Sequence, residues 1–122
     1  MYLVVYLSLY QQDIVMNPQF NKGILEMCVL ALLAKRAFYG FELVNTISSQ
    51  VNISEGTIYP LLRRLTEEKY VDTYLQESPS GPPRKYYRMT AHGQQFTLNL
   101  IKEWHGFTAA INQLIEDEVT HE

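Results

Sequence analysis

Ser54-Glu-Gly-Thr-Ile-Tyr-Pro-Leu-Leu-Arg-Arg-Leu65 carries two patterns on one helix. Ser54 stands where an N-cap is expected, and Glu55 puts a negative charge into the first turn, where the helix dipole favours it. Ile58, Leu61, Leu62 and Leu65 then fall at helical spacing, so one face is apolar and buried. The opposite face presents Gly56, Pro60, Arg63 and Glu67, flanked by Tyr59 and Arg64. Gly56 lacks a side chain, so a partner can come close to the backbone. Pro60 forgoes the hydrogen bond to the carbonyl of residue 56 and crowds it, at a cost of ~3 kcal/mol in a helix interior. A helix with an uncrowded N-terminal face, free N-terminal donors and two arginines a turn later is suited to enter a major groove. There it would hold phosphates on either side.

Upstream, Asn21 to Leu33 is apolar on nearly every face, which predicts a helix buried all round or shared between its own core and a second chain. Lys35 and Arg36 place positive charge at its C-terminal end. Tyr39-Gly40 reads as a short turn, and Phe41 to Ser49 as a second helix with Phe41, Val44 and Ile47 on its apolar face.

Downstream, the third helix ends near Lys69-Tyr70 and the period changes. Val71, Thr73 and Leu75 alternate with Asp72, Tyr74 and Gln76, which predicts a half-buried strand. Ser78 to Pro83, rich in proline and glycine, predicts a loop. Arg84 to Met89 predicts a second strand, with Tyr87 and Met89 on one face and Tyr86 and Arg88 on the other. Arg84 and Lys85 stand at the base of the loop, where a stiff basic hairpin can reach the flanking backbone or minor groove.

Thr90 caps a last helix running to about Val119. Phe96, Leu100, Trp104, Phe107, Ile111 and Leu114 form a seam of the coiled-coil type along it. The helix is ~40 Å long at its usual rise, too long for so small a body to cover. Leu100, Trp104, Phe107, Ile111 and Leu114 are therefore expected to pack on another chain. The fold class is mainly α with a two-stranded β-hairpin: a winged helix-turn-helix over residues 17–89, then a C-terminal dimerisation helix over 90–122. Residues 1–16 form an apolar extension. It is either a non-structural leader read from an upstream start, with Met16 as an alternative, or a strip that packs on a partner.

Composition excludes several functions. With 122 residues, 47% of them hydrophobic, the chain suits one domain with a true core. The single cysteine, Cys28, rules out an internal disulfide or a CxxC motif. It reads as a buried structural thiol and fits a reducing cytoplasmic setting. His92, His105 and His121 lack metal spacing, so no metal or cofactor is expected. No GxSxG, HExxH, P-loop or GxGxxG pattern occurs, which argues against an enzyme. The leader is too short and lacks the flanks to span or target a membrane.

The net charge of −3 argues against a basic nucleic-acid binder until it is divided along the chain. Residues 54–88 carry six basic and five acidic groups, whereas residues 89–122 carry one basic and five acidic. The negative charge belongs to the last helix and tail, and the positive field is local.

Ser54 to Leu65, followed by Glu67-Glu-Lys-Tyr-Val71, resembles the third-helix signature of the PadR family of bacterial transcriptional regulators. Arg84-Lys-Tyr-Tyr-Arg-Met-Thr90 with Gly93 is similar to that family's second wing strand and last-helix cap. Gly23 to Leu33 and Tyr39 to Leu43 resemble its first two helices. The single C-terminal helix is similar to the compact subgroup. The resemblance implies a homodimeric repressor that binds pseudo-palindromic operators and is released by a small phenolic or planar aromatic molecule. It implies that Ser54, Thr57, Tyr59, Pro60, Arg63 and Arg64 meet DNA, and that the last helix and part of the first form the dimer interface. The chain departs from the pattern at Tyr70, where the family commonly has glycine, and in the leader before Met16.

Trp104, the only tryptophan, is open to two roles: an interface anchor, or, with Phe107 and Ile111, the wall of an effector cavity. A winged-helix module for protein–protein contact, with no DNA role, is the alternative function. Arg63 and Arg64 on the outward helix face favour DNA.

Overall fold

A computed structural model describes residues 18–120, with side chains over 23–116. The leader, Met16 and the last two residues lie outside the described residues. The elements are α1 (Pro18–Lys35), β1 (Phe38–Tyr39), α2 (Gly40–Ser48), α3 (Glu55–Glu67), β2 (Val71–Ser78), β3 (Gly81–Met89) and α4 (Ala91–Thr120).

The core forms where α1, α2 and α3 meet the sheet. Leu25, Val29, Leu30 and Leu33 of α1 pack with Leu43, Val44 and Ile47 of α2, Ile58, Leu62 and Leu65 of α3, and Phe38, Val71 and Tyr87 of the strands. Leu61, expected in the buried stripe, is half-buried at its edge. Phe41 was expected inside and is instead exposed, stacked on Tyr39 at 6.5 Å. The inward position of the first α2 turn belongs to Gly40. A Cβ there would come within 2.8 Å of the Tyr59 ring, so the glycine is what lets α2 approach α3.

The sheet has three strands in the order β1-β3-β2, not two. Phe38 pairs with Tyr87 and Tyr39 with Tyr86, both antiparallel, so the expected turn at Tyr39-Gly40 is a short strand running into a helix. Two residues are too few to show a period of two. The hairpin is also longer than expected. Ser78 pairs with Gly81, with an irregularity between Gln76 and Ser78, leaving only Pro79-Ser80 as the turn. Pro82 and Pro83 lie within β3, beyond its pairing with β1, and an extended edge accepts proline's fixed φ and missing donor.

The junction around Tyr70 sets where α4 starts. The α3 helix closes with Tyr70 N–H donating to the Leu65 carbonyl and Lys69 N–H to the Thr66 carbonyl, both at 3.0 Å. This is a Schellman closure, with Lys69 at φ 65° in the left-handed position that usually holds glycine. Tyr70 then stacks on Phe96 at 4.3 Å and on His92 at 4.8 Å. The Thr90 hydroxyl donates toward the Lys69 and Tyr70 carbonyls and accepts from Gly93 N–H at 3.0 Å, which is the cap expected of it. Gly93 lies against the Tyr70 carbonyl, where no Cβ fits. From there α4 runs 30 residues. Phe96 and Leu100 pack on the core, while Phe107, Leu114 and Ile115 are exposed.

Candidate nucleic-acid interface

The outer face of α3 is open. Ser54, Gly56, Thr57, Pro60 and Arg63 are all exposed, and a Cβ on Gly56 would touch only the Ser54 hydroxyl. Ser54 has the extended backbone of an N-cap, but its hydroxyl makes no capping bond. It lies 3.3 Å from the Thr57 hydroxyl, and Thr57 N–H donates to the Ser54 carbonyl at 3.1 Å. The helix N-terminus thus presents two hydroxyls to solvent beside its own positive dipole end.

The two arginines differ. Arg64 turns back toward the body, donating to Glu26 of α1 at 3.1 Å and to Glu68 at 3.2 Å. Arg63 has no carboxylate within ion-pair distance among the described residues. Tyr59 leans over Gly40 and is half-buried, and burial raises its phenol pKa, with Glu55 and Tyr39 adding to the effect.

Arg84 and Lys85 face opposite ways, as alternation along a strand requires. Arg84 lies over the Tyr39 ring at 4.7 Å, on the face that also carries Tyr86 and Tyr74, stacked 5.4 Å apart. Arg88 shares that face, bonded to Asp72 at 3.0 Å. Lys85 lies on the α3 side, its ammonium 5.7 Å from the centre of the Tyr87 ring. Tyr59, Arg63, Thr66 and Glu67 of α3 and Lys85 and Tyr87 of β3 line one cleft of about 220 Å³. Burial raises the Tyr87 phenol pKa, and the neighbouring Arg63 pulls it the other way. Thr66 and Tyr87 were not singled out from the sequence. The alternation placing Tyr87 with Lys85 was readable there, but the packing of that face on α3 was not.

A second, apolar groove of about 670 Å³ lies between α1 and α4. Ile24 and Met27 line one side, and Leu100, Trp104, Phe107 and Ile111 the other. Trp104, Phe107 and Ile111 are thus brought together. Leu114, further along the seam, does not line the groove and is 70% exposed. Among the described residues, no group of three or more His, Cys, Asp or Glu side chains is placed to hold a metal ion. No described helix is long and apolar enough to cross a membrane.

A helix-turn-helix whose second helix is exposed along its polar side, flanked by a three-stranded wing, defines a winged-helix protein. Residues 29–99 match the family model described as the transcriptional regulator PadR-like family, and the chain belongs to that family. Its structure is similar to a PadR-like transcriptional regulator from Bacillus cereus strain ATCC 14579, with 35% identity and a TM-score of 0.74, covering 80% of this chain and 96% of that one. An uncharacterised Lysinibacillus sphaericus protein is 31% identical over 99 residues, which cover 78% of this chain and 87% of that one. Bacillus subtilis PadR in complex with operator DNA shares the fold, at 22% identity and a TM-score of 0.58, over 64% of this chain and 46% of that one. The family is one of transcriptional regulators, not of enzymes.

Proposed function

We propose that this chain is a homodimeric repressor that binds a pseudo-palindromic operator through α3 and the wing, and that a small aromatic or phenolic effector releases it. The open outer face of α3 carries the DNA reading: Ser54, Gly56, Thr57 and Pro60 leave the helix N-terminus accessible, with Arg63 a turn behind them. The operator complex of the Bacillus subtilis fold relative supports the same use of the fold. Tyr59 holds α3 against α2, and Arg64, tied to Glu26 and Glu68, fixes the helix against α1 and adds a weaker charge to the DNA face. Lys85 works from the α3 side of the wing, and Arg84 reaches backbone from its outer face. The protein–protein alternative gains no support from this surface, because nothing on it is both apolar and extended.

The exposed seam of α4 supports a dimer. Leu100, Trp104, Phe107, Ile111 and Leu114 meet their counterparts in a second copy. The groove carrying Trp104, Phe107 and Ile111 then becomes the effector pocket. Two recognition helices related by a two-fold axis require half-sites about one helical turn apart, ~34–36 Å, or a multiple of it.

The test is titration of the protein into the promoter duplex of a neighbouring gene over a range of salt. Log K is expected to fall by ~0.9 per neutralised phosphate per log unit of salt, and a scrambled duplex to bind far more weakly. Equal affinity for both duplexes, or no binding at low salt, overturns the proposal. A panel of planar aromatic compounds is expected to quench Trp104 and release the duplex, and a panel that does neither removes the effector.

A further inference from the structure

Arg63 and Lys85 come from different elements and open onto the same cleft. Both are exposed, and neither has a carboxylate within ion-pair distance among the described residues. That sets them apart from Arg36, Arg64 and Arg88, each of which is paired. Tyr59 and Tyr87 form part of the same wall. A guanidinium fork and an ammonium make a donor-rich pair, and their complement is a tetrahedral oxyanion that only accepts. The cleft holds about 220 Å³. At ~30 Å³ per water that is room for a phosphate group with part of its hydration shell. Glu67, the one carboxylate in the wall, opposes an anion there but pairs with neither cation.

We propose that this cleft seats a single phosphodiester of the DNA backbone, held jointly by Arg63 from α3 and Lys85 from β3. The inference rests on the DNA-binding reading above and adds a specific mechanical role. One phosphate bridges the recognition helix and the wing, so the two elements enter DNA in a fixed relation to each other. Arg63 then acts on the backbone rather than on a base edge, and its removal weakens all sequences alike.

The experiment measures the affinity of the full-length protein for a labelled duplex of arbitrary sequence, as a function of KCl. It compares the unaltered chain with Arg63→Ala, Lys85→Ala and the double variant. Both side chains are exposed, so an unchanged thermal midpoint confirms that each variant folds. Joint grip predicts that the salt slope of the double variant falls by only ~0.9 per bound protomer, or ~1.8 for a dimer with both clefts on the duplex, with the second substitution adding little to the first. Two separate phosphates per protomer would lower it by ~1.8 per bound protomer, or ~3.6 for the dimer, with additive losses of affinity, and that result overturns the inference while leaving DNA binding intact. Unchanged slopes overturn it as well. Absence of duplex binding by the unaltered chain at low salt overturns the DNA-binding reading itself. Glu67→Gln is expected to tighten binding, and no change or weakening counts against an anion in the cleft.

Discussion

Phe107→Ala tests whether α4 meets a second copy of the chain. Phe107 is 59% exposed in the single chain, half-way along a 30-residue helix whose first turns alone rest on the core. A phenylalanine side chain carries ~200 Å², so the exposed share is ~120 Å². At ~25 cal/mol per Å², covering it contributes ~3 kcal/mol. In a two-fold dimer the substitution acts twice, which sets an upper bound of ~6 kcal/mol. Ala keeps part of the contact, and buried area converts to affinity with loss, so ~3–4 kcal/mol is the expected effect. That corresponds to a dimer Kd raised by ~10²–10³-fold. Sedimentation velocity over a dilution series reads this directly, with circular dichroism confirming that the helix content is unchanged. Leu98→Ala is the control: it removes an equally exposed side chain from the opposite side of the helix and leaves Kd unchanged. Equal dissociation constants for Phe107→Ala and the unaltered chain, or a parent protein that is monomeric throughout, would refute the interface.

Gly93→Ala drives a methyl group into the Tyr70 carbonyl and the Met89 sulfur, and the carbonyl cannot yield without moving the start of β2. The expected loss is ~1–3 kcal/mol, seen as a thermal midpoint lowered by more than ~5 °C, and an unchanged midpoint would mean the α4 junction is looser than described. Lys69→Gly works in the other direction: the left-handed backbone at φ 65° carries a Cβ penalty of ~1–2 kcal/mol. Glycine relieves it but makes the unfolded chain freer, leaving a net gain of ~0.5–1 kcal/mol in urea unfolding. Burial pushes the Cys28 thiol above its ordinary pKa, so less of it is thiolate at neutral pH. Alkylation of the native protein is expected to be slower than that of the same protein in urea, and equal rates would show the thiol to be unshielded.

The elements that could be read from the sequence are those long enough to repeat a period. In α3, Ile58, Leu62 and Leu65 recur over enough turns to fix both the buried face and, by subtraction, the outer one. Phe38-Tyr39 offers a single alternation, so β1 became visible only when Tyr86 and Tyr87 came to lie beside it. The wing turn was misplaced because proline and glycine signal a break most strongly, yet an unpaired strand edge tolerates both. Arg63 and Arg64 looked alike because adjacent helical residues differ by only ~100°. That rotation, and Glu26 waiting on α1, turn one of them into a structural brace. Arg84 and Lys85 were separable in principle, since strand neighbours point apart. What the sequence left open was which face of the strand α3 covers, a matter of tertiary packing.

The charge pattern then reconciles an acidic chain with a nucleic-acid surface. Within residues 54–88, Arg64 and Arg88 are neutralised by Glu26, Glu68 and Asp72. The positive field of that segment therefore rests on Lys69, Arg84 and the Arg63–Lys85 cleft rather than on all six cations. Most of the chain's negative excess falls, in sequence, between Glu116 and Glu122, whereas α4 starts against Tyr70 and extends ~45 Å. Fields at physiological salt decay over ~8 Å, so attraction at the cleft is governed by the charges beside it rather than by the total over the chain. The sign of the net charge therefore describes the C-terminal end of the sequence, and the binding surface is set by which few cations remain unpaired.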